Sequence, residues 1–138
     1  MKAWDYELVA TALMAALEAG DTDALAALYA PDVAVWHNYD RIEQTGAESV
    51  RTLAWMTRRV RGMRYENVRR VIVEDGFVQQ HVMSATDPAF TAPCMLRVWC
   101  REDRIIRIEE YLDSADVAAV RDMAAEHLRS KAQPAGRP

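Results

Sequence analysis

The sequence predicts an α+β fold: three N-terminal helices followed by a curled, mostly antiparallel sheet. Three observations carry that reading. Helical periodicity fills the first part of the chain and is broken at Gly20 and at Ala30-Pro31-Asp32. Four β-type runs separated by short connections fill most of residues 63–112. One further strand, beginning at Val33, stands alone between the second and third helical segments. Helices followed by strands, rather than alternating with them, make a sheet that wraps helices around a cavity.

Residues 4–19 repeat Leu8, Ala12, Ala15 and Ala16 at helical spacing, with Leu13 and Leu17 widening the stripe, and Gly20 follows as a C-terminal cap. Asp21 opens a shorter helix from Thr22 to Tyr29, with Leu25 and Leu28 inward. Val33-Ala34-Val35-Trp36-His37-Asn38-Tyr39-Asp40 then begins as an alternating strand and ends in polar and aromatic groups. Successive strand side chains point to opposite faces, so Val33, Val35 and His37 share one side while Ala34, Trp36 and Asn38 share the other. After a loop, Thr45-Gly46-Ala47-Glu48 has the spacing of a capping box and starts a helix over residues 46–61.

Strands follow over Met63–Val73, Phe77–Ala85, Cys94–Arg101 and Arg104–Leu112. Glu74-Asp75-Gly76 and Glu102-Asp103 make the tight turns, and Asp87-Pro88 lies in a looser connection. Ser114 is expected to cap a last helix with Val117, Val120, Ala124 and Leu128 inward. Residues 1–130 thus read as one domain and 131–138 as a flexible tail.

With 51% hydrophobic residues among 138, the chain can bury one core. A net charge of -4 and a pI near 5.4 argue against nucleic acid or an anionic membrane as the main partner. No signal peptide is expected at the opening, and no apolar run approaches the ~20 residues that span a bilayer. Cys94 and Cys100 fall in one strand about 20 Å apart, too far for a disulfide. Two free thiols suit a reducing cytoplasm, the expected compartment.

The element order, the Ala19-Gly20-Asp21 turn, Leu28-Tyr29-Ala30-Pro31-Asp32-Val33 and the closing Arg107-Ile108-Glu109-Glu110-Tyr111-Leu112-Asp113 resemble the NTF2-like superfamily. Within it the chain is most similar to SnoaL-like proteins, the group that includes polyketide cyclases and ketosteroid isomerases. The resemblance covers residues 5–120 and implies a cone-shaped α+β barrel with a deep apolar pocket, often a homodimer. It places His37 where ketosteroid isomerases carry a carboxylate base. An imidazole, titrating near pH ~6.5, can also take or give a proton at neutral pH. That family's first-helix phenol falls on Leu13 and its second pocket acid near Met95, so its oxyanion donors are missing. Steroid isomerisation by that route is not expected. Nor are the carboxylates of the Asp-Arg-Asp set of limonene-epoxide hydrolases found.

A two-residue turn at Glu102-Asp103 sets Arg101 opposite Arg104, and hence Trp99 opposite Ile106, Arg97 opposite Ile108 and Met95 opposite Glu110. Leu112 joins that face; Cys94, Leu96, Val98, Ile105, Arg107, Glu109 and Tyr111 form the other. The resemblance assigns the first set to the pocket. Glu110, buried there, needs Arg97 or His37 as partner. A His37–Glu110 pair across the cavity would orient the imidazole and raise its basicity. The plainer alternatives are a backbone-bonded His37 and a structural Glu110–Arg97 ion pair. Either Gln80 or the Gln79/His81 pair reaches the cavity. Trp36, Tyr39, Trp55 and Trp99 serve as core or rim residues suited to a flat, apolar ligand. Asp40 falls in a loop and is read as solvated.

No metal is expected, because His37, His81 and Glu110 lack a helical ligand spacing. No organic cofactor is expected, because no glycine-rich phosphate loop occurs. The leading expectation is acid–base catalysis on a small hydrophobic carbonyl compound, with His37 and Glu110 catalytic and Arg97 or a glutamine polarising the substrate oxygen. The rival is a non-catalytic ligand-binding or dimerisation module. Dimerisation is expected through the outer sheet face, at Leu96, Val98 and Tyr111.

Overall fold

A computed structural model describes residues 4–132. Helix α1 (Tyr6–Ala19) begins where the Asp5 carboxylate accepts from the Leu8 N–H, and ends at Gly20 in the left-handed conformation. There the Gly20 N–H reaches the carbonyls of Ala16 and Leu17. Its buried stripe is Tyr6, Val9, Leu13 and Ala16, with Ala10 and Met14 beside them. Leu8 is 67% exposed, and Ala12 and Ala15 are exposed as well. Both stripes have helical spacing; the sheet selects the one carrying the aromatic ring and the longer side chains. Helix α2 (Thr22–Leu28), capped by Asp21, buries Leu25.

The chain then enters β1 (Tyr29–His37), which starts four residues before Val33 and directly follows α2. A three-residue strand, β2 (Glu43–Thr45), pairs antiparallel with it where a loop was expected. Helix α3 (Gly46–Arg59) carries both halves of the Thr45/Glu48 capping box. Four strands follow: β3 (Arg64–Val73), β4 (Gly76–Thr86), β5 (Ala89–Arg101) and β6 (Arg104–Leu112). Asp113, rather than Ser114, caps a short 3-10 turn over Ser114–Val117 that leads into α4 (Ala118–Ala132). Val117 and Val120 are buried there, whereas Leu128 is 68% exposed. Of the expected tail, residues 131–132 belong to α4 and 133–138 lie outside the described residues.

The sheet order is β2-β1-β6-β5-β4-β3. All neighbours are antiparallel except β1 and β6, which run parallel. The curved, unclosed sheet holds α1 against β3 and β4 and α3 against β1, with Phe77, Leu13, Leu25, Ile105 and Val98 fully buried between them.

One register detail decides which side chains face that interior. Arg101 does pair with Arg104 and Cys100 with Ile105, but Trp99 then pairs with Arg107, leaving Ile106 as an extra residue. A bulge of one residue turns the partner strand's alternation over. Beyond it Val98 faces Ile108, Leu96 faces Glu110 and Cys94 faces Leu112. The inward set of β5 is therefore Cys94, Leu96, Val98 and Cys100, all buried. Met95, Arg97 and Trp99 lie on the outer face, and the expected pocket placement of these three is corrected. By the same inversion Leu96 and Val98 are core residues, not members of an outer dimer surface.

Candidate active site

Residues lining one cavity of about 460 Å³ come from α1, β1, α3, β3, β4, β5, β6 and the last helix. Its wall is mainly apolar, with Leu13, Val35, Leu53, Leu96, Ile108 and Leu112 among the lining residues. That size falls in the range of about 300–1,000 Å³ typical of small-molecule sites.

His37 and Glu110 meet in this wall because β1 and β6 are parallel neighbours and the two residues are direct register partners. They are adjacent in the sheet, not opposed across the cavity. Their side chains are 19% and 15% exposed, and His37 Nε2 lies 3.1 Å from Glu110 Oε1. Asn38 holds this end of the pairing: its N–H donates to the Glu110 carbonyl, and its Oδ1 accepts from the Leu112 N–H, each at 3.0 Å. The ladder thus continues past the last residue of β1, which fixes the imidazole and carboxylate side by side. Burial lowers the His37 pKa, but the hydrogen bond His37 donates to the Glu110 carboxylate, that group's charge and the charge of Asp40 together leave it above the ordinary imidazole value. Asp40 itself is exposed and accepts from the Ile42 N–H.

In the strand after the Asp75-Gly76 turn neither glutamine alternative is met, because Gln79, Gln80 and His81 are all absent from the cavity lining. Gln79 is 0% and His81 3% exposed, both inward, while Gln80 is exposed on the outer face. His81 does not line the cavity; it stands behind Glu110, with Nε2 3.9 Å from Oε2. Burial lowers its pKa, and the charge of Glu110 only partly opposes this. A ring nitrogen of His81, Cys94 Sγ and a Glu110 oxygen lie within 4.8 Å of one another. Cys94 is a buried thiol whose pKa is pushed up to about 12, chiefly by burial.

The remaining expected residues divide clearly. Tyr39, Ile108 and Leu112 line the cavity, and the Tyr39 ring lies 5.2 Å from the His37 imidazole. Trp36 points the other way and packs edge-on against Tyr111 at 5.4 Å. Trp55 faces His127 of the last helix, 6.0 Å between ring centroids, and not the cavity. Arg97 pairs with Asp75 at 2.5 Å and lies over the Trp99 ring at 4.3 Å, so it neither neutralises Glu110 nor reaches a ligand there.

Several cavity groups escaped the sequence reading. Tyr65 on β3 lines the cavity and packs edge-on against His81 at 5.4 Å. Burial, with the nearby Glu110 charge, raises the Tyr65 pKa strongly and pushes Tyr39 up to about 12. Both phenols therefore stay protonated at neutral pH and can donate a hydrogen bond. Arg121 lines the cavity from the last helix and covers the Tyr39 ring at 4.8 Å. Tyr29 is engaged with Ser49, 2.8 Å between hydroxyls. The signal that would reveal Tyr65 is weak, because Asn67 adopts a positive φ and the β3–β4 register shifts between Glu66 and Arg69.

The SnoaL-like domain family matches the chain over residues 10–108. No curated protein matches it. Among solved structures, a Catenulispora acidiphila protein with a ketosteroid isomerase-like fold, in complex with trimethylamine, superposes with TM-score 0.71. It is 18% identical, with 80% of this chain and 89% of that one covered. IdmH from Streptomyces antibioticus, provisionally classed as a polyketide cyclase, gives TM-score 0.73 at 16% identity over 83% and 96% of the two chains. An NTF2-like protein from Burkholderia xenovorans gives 0.66 at 16% identity over 83% and 93%. These likenesses establish the fold.

Proposed function

Because the chain belongs to the SnoaL-like domain family, we propose that it binds a small, mostly apolar carbonyl compound and moves a proton on it with the His37–Glu110 pair. The observation that carries this reading is a paired imidazole and carboxylate, 3.1 Å apart, in the wall of an apolar cavity. Two ionisable groups in an apolar wall are costly unless paired, and such a pair in a cavity marks a candidate functional site.

The raised His37 pKa favours an imidazolium–carboxylate couple, which contains both a base and an acid. A carbon acid bound beside it passes the proton α to its carbonyl to the Glu110 carboxylate, the base of that couple, while the His37 imidazolium is the acid beside it. The resulting enolate oxygen needs a donor, and the protonated phenols of Tyr65 and Tyr39 share the cavity with the pair. They replace Arg97 and Gln80, which face outward. Return of the proton to a different carbon gives isomerisation; attack of the enolate on a second carbonyl gives cyclisation.

The test needs no knowledge of the natural substrate. Simple cyclic ketones are incubated with the protein in D2O, and loss of the α-proton signal is followed by NMR. Wild-type protein is expected to accelerate exchange, and His37→Ala to reduce the acceleration by about 100-fold or more, the usual size of an acid–base contribution. Ketone binding without any accelerated exchange would instead favour the non-catalytic binding module.

A further inference from the structure

His81 is buried, and its Nε2 has no hydrogen-bond partner among the described residues. Its other nitrogen is engaged: His81 Nδ1 lies 3.0 Å from Gln79 Nε2. Gln79 is in turn held by Arg70, whose Nε donates to Gln79 Oε1 at 2.8 Å. Arg70 also pairs with Glu7 on α1. A guanidinium has only donors, so the amide must turn its oxygen toward Arg70 and its NH2 toward His81. An NH2 group can only donate. Nδ1 of His81 must therefore accept, and its proton must sit on Nε2, facing Glu110.

The sheet register makes this arrangement continuous. His37, Glu110, Leu96, Gln79 and Arg70 are successive cross-strand partners on β1, β6, β5, β4 and β3. His81 lies two residues along β4 from Gln79 and so shares its face. The groups facing His81 are Tyr65 from β3, Cys94 from β5, Glu110 from β6 and, on its own strand, Gln79.

We propose that Arg70 and Gln79 lock His81 as the Nε2–H tautomer, making it a positioning residue that presents a donor to Glu110 Oε2 while His37 holds Oε1. At 3.9 Å this N–H faces Oε2 from beyond hydrogen-bond distance, so it acts on the carboxylate electrostatically, from a chain that begins on the protein surface. This rests on the acid–base reading of the His37–Glu110 pair for its consequence, but not for its geometry. The rival is a divalent cation held by His81, Cys94 and Glu110. That would need the Nε2 lone pair, hence a proton on Nδ1 facing the Gln79 NH2, where two donors would meet.

Long-range 1H–15N correlation spectra of the full chain near pH 7.5 separate the two tautomers and the imidazolium. Wild-type His81 is expected to show the Nε2–H pattern, and adding excess Zn2+ is expected to leave it unchanged. A predominant Nδ1–H pattern, an imidazolium, or loss of the Nε2 proton on adding Zn2+ would overturn the proposal. In Gln79→Glu, of nearly the same shape, the introduced carboxylate still binds Arg70 but accepts from Nδ1. His81 should then move to the imidazolium or to Nδ1–H; an unchanged Nε2–H pattern would remove Gln79 from the chain. These spectra read His81 alone, so failed ketone exchange would leave this result standing, and a wrong tautomer would leave the exchange result standing.

Discussion

His37 titrates against two opposing influences, and the balance has a consequence for stability. Burial resists its charge and Glu110 rewards it, with the net pKa above the ordinary 6.5. A group whose folded-state pKa exceeds its unfolded value stabilises most fully below the unfolded value. That contribution is lost as pH rises through the folded one. Urea unfolding between about pH 6 and 8 should therefore show wild-type stability declining relative to His37→Gln, which keeps a donor but does not titrate. A wild-type advantage that grows with pH over this window would contradict the pairing. The sequence made His37 legible as an inward residue, since strand alternation with Val33 and Val35 is a local property. It did not reveal that Glu110 sits directly beside it. A parallel pairing between residues so distant in the chain leaves no local trace.

At the level of elements, the bounds of β6 and the Thr45/Glu48 capping box were readable because turn and cap chemistry are written in adjacent residues. The faces of β5 were not. Ile106 has no feature that distinguishes a bulged residue from a paired one, yet it inverts Met95, Arg97 and Trp99 relative to β6. On α1, Leu13 and Ala16 are buried as expected but Leu8, Ala12 and Ala15 are exposed, for a related reason: alanine-rich helices offer several apolar faces, and only tertiary packing chooses. The α1–α2 junction offers a direct check. Gly20 has φ 67°, and a Cβ there would lie 2.4 Å from Thr57 Oγ1 on α3. Gly20→Ala should cost about 1–3 kcal/mol through left-handed strain and that clash. Adding Thr57→Ala should recover the clash but not the strain, as measured by thermal unfolding of the single and double variants. No recovery in the double variant would mean that the contact is unimportant.

For the whole molecule, the family and the α+β architecture were legible because they rest on element order, which tolerates errors in individual faces. The outer sheet face is a separate matter. With Leu96 and Val98 inward, its apolar exposure comes from Tyr111, Met95 and Val71, which are 45%, 41% and 64% exposed. We propose that this face pairs two copies of the chain, and sedimentation at micromolar concentration should give twice the 15.6 kDa chain mass. Tyr111→Glu, which introduces charge on that surface, should shift the mass toward one chain. A single-chain mass for the wild type would exclude the pairing. No helix among the described residues is long and apolar enough to cross a membrane.

The pairing of His37 with Glu110 inside the cavity is tested most directly by the titration midpoint of the His37 imidazole, followed by NMR in wild type and in Glu110→Gln. The wild-type midpoint should lie above 6.5. With the carboxylate removed, burial dominates and the midpoint should fall below 6.5. A wild-type midpoint at or below 6.5, or one that Glu110→Gln leaves in place, would contradict the pairing and the proton chemistry built on it.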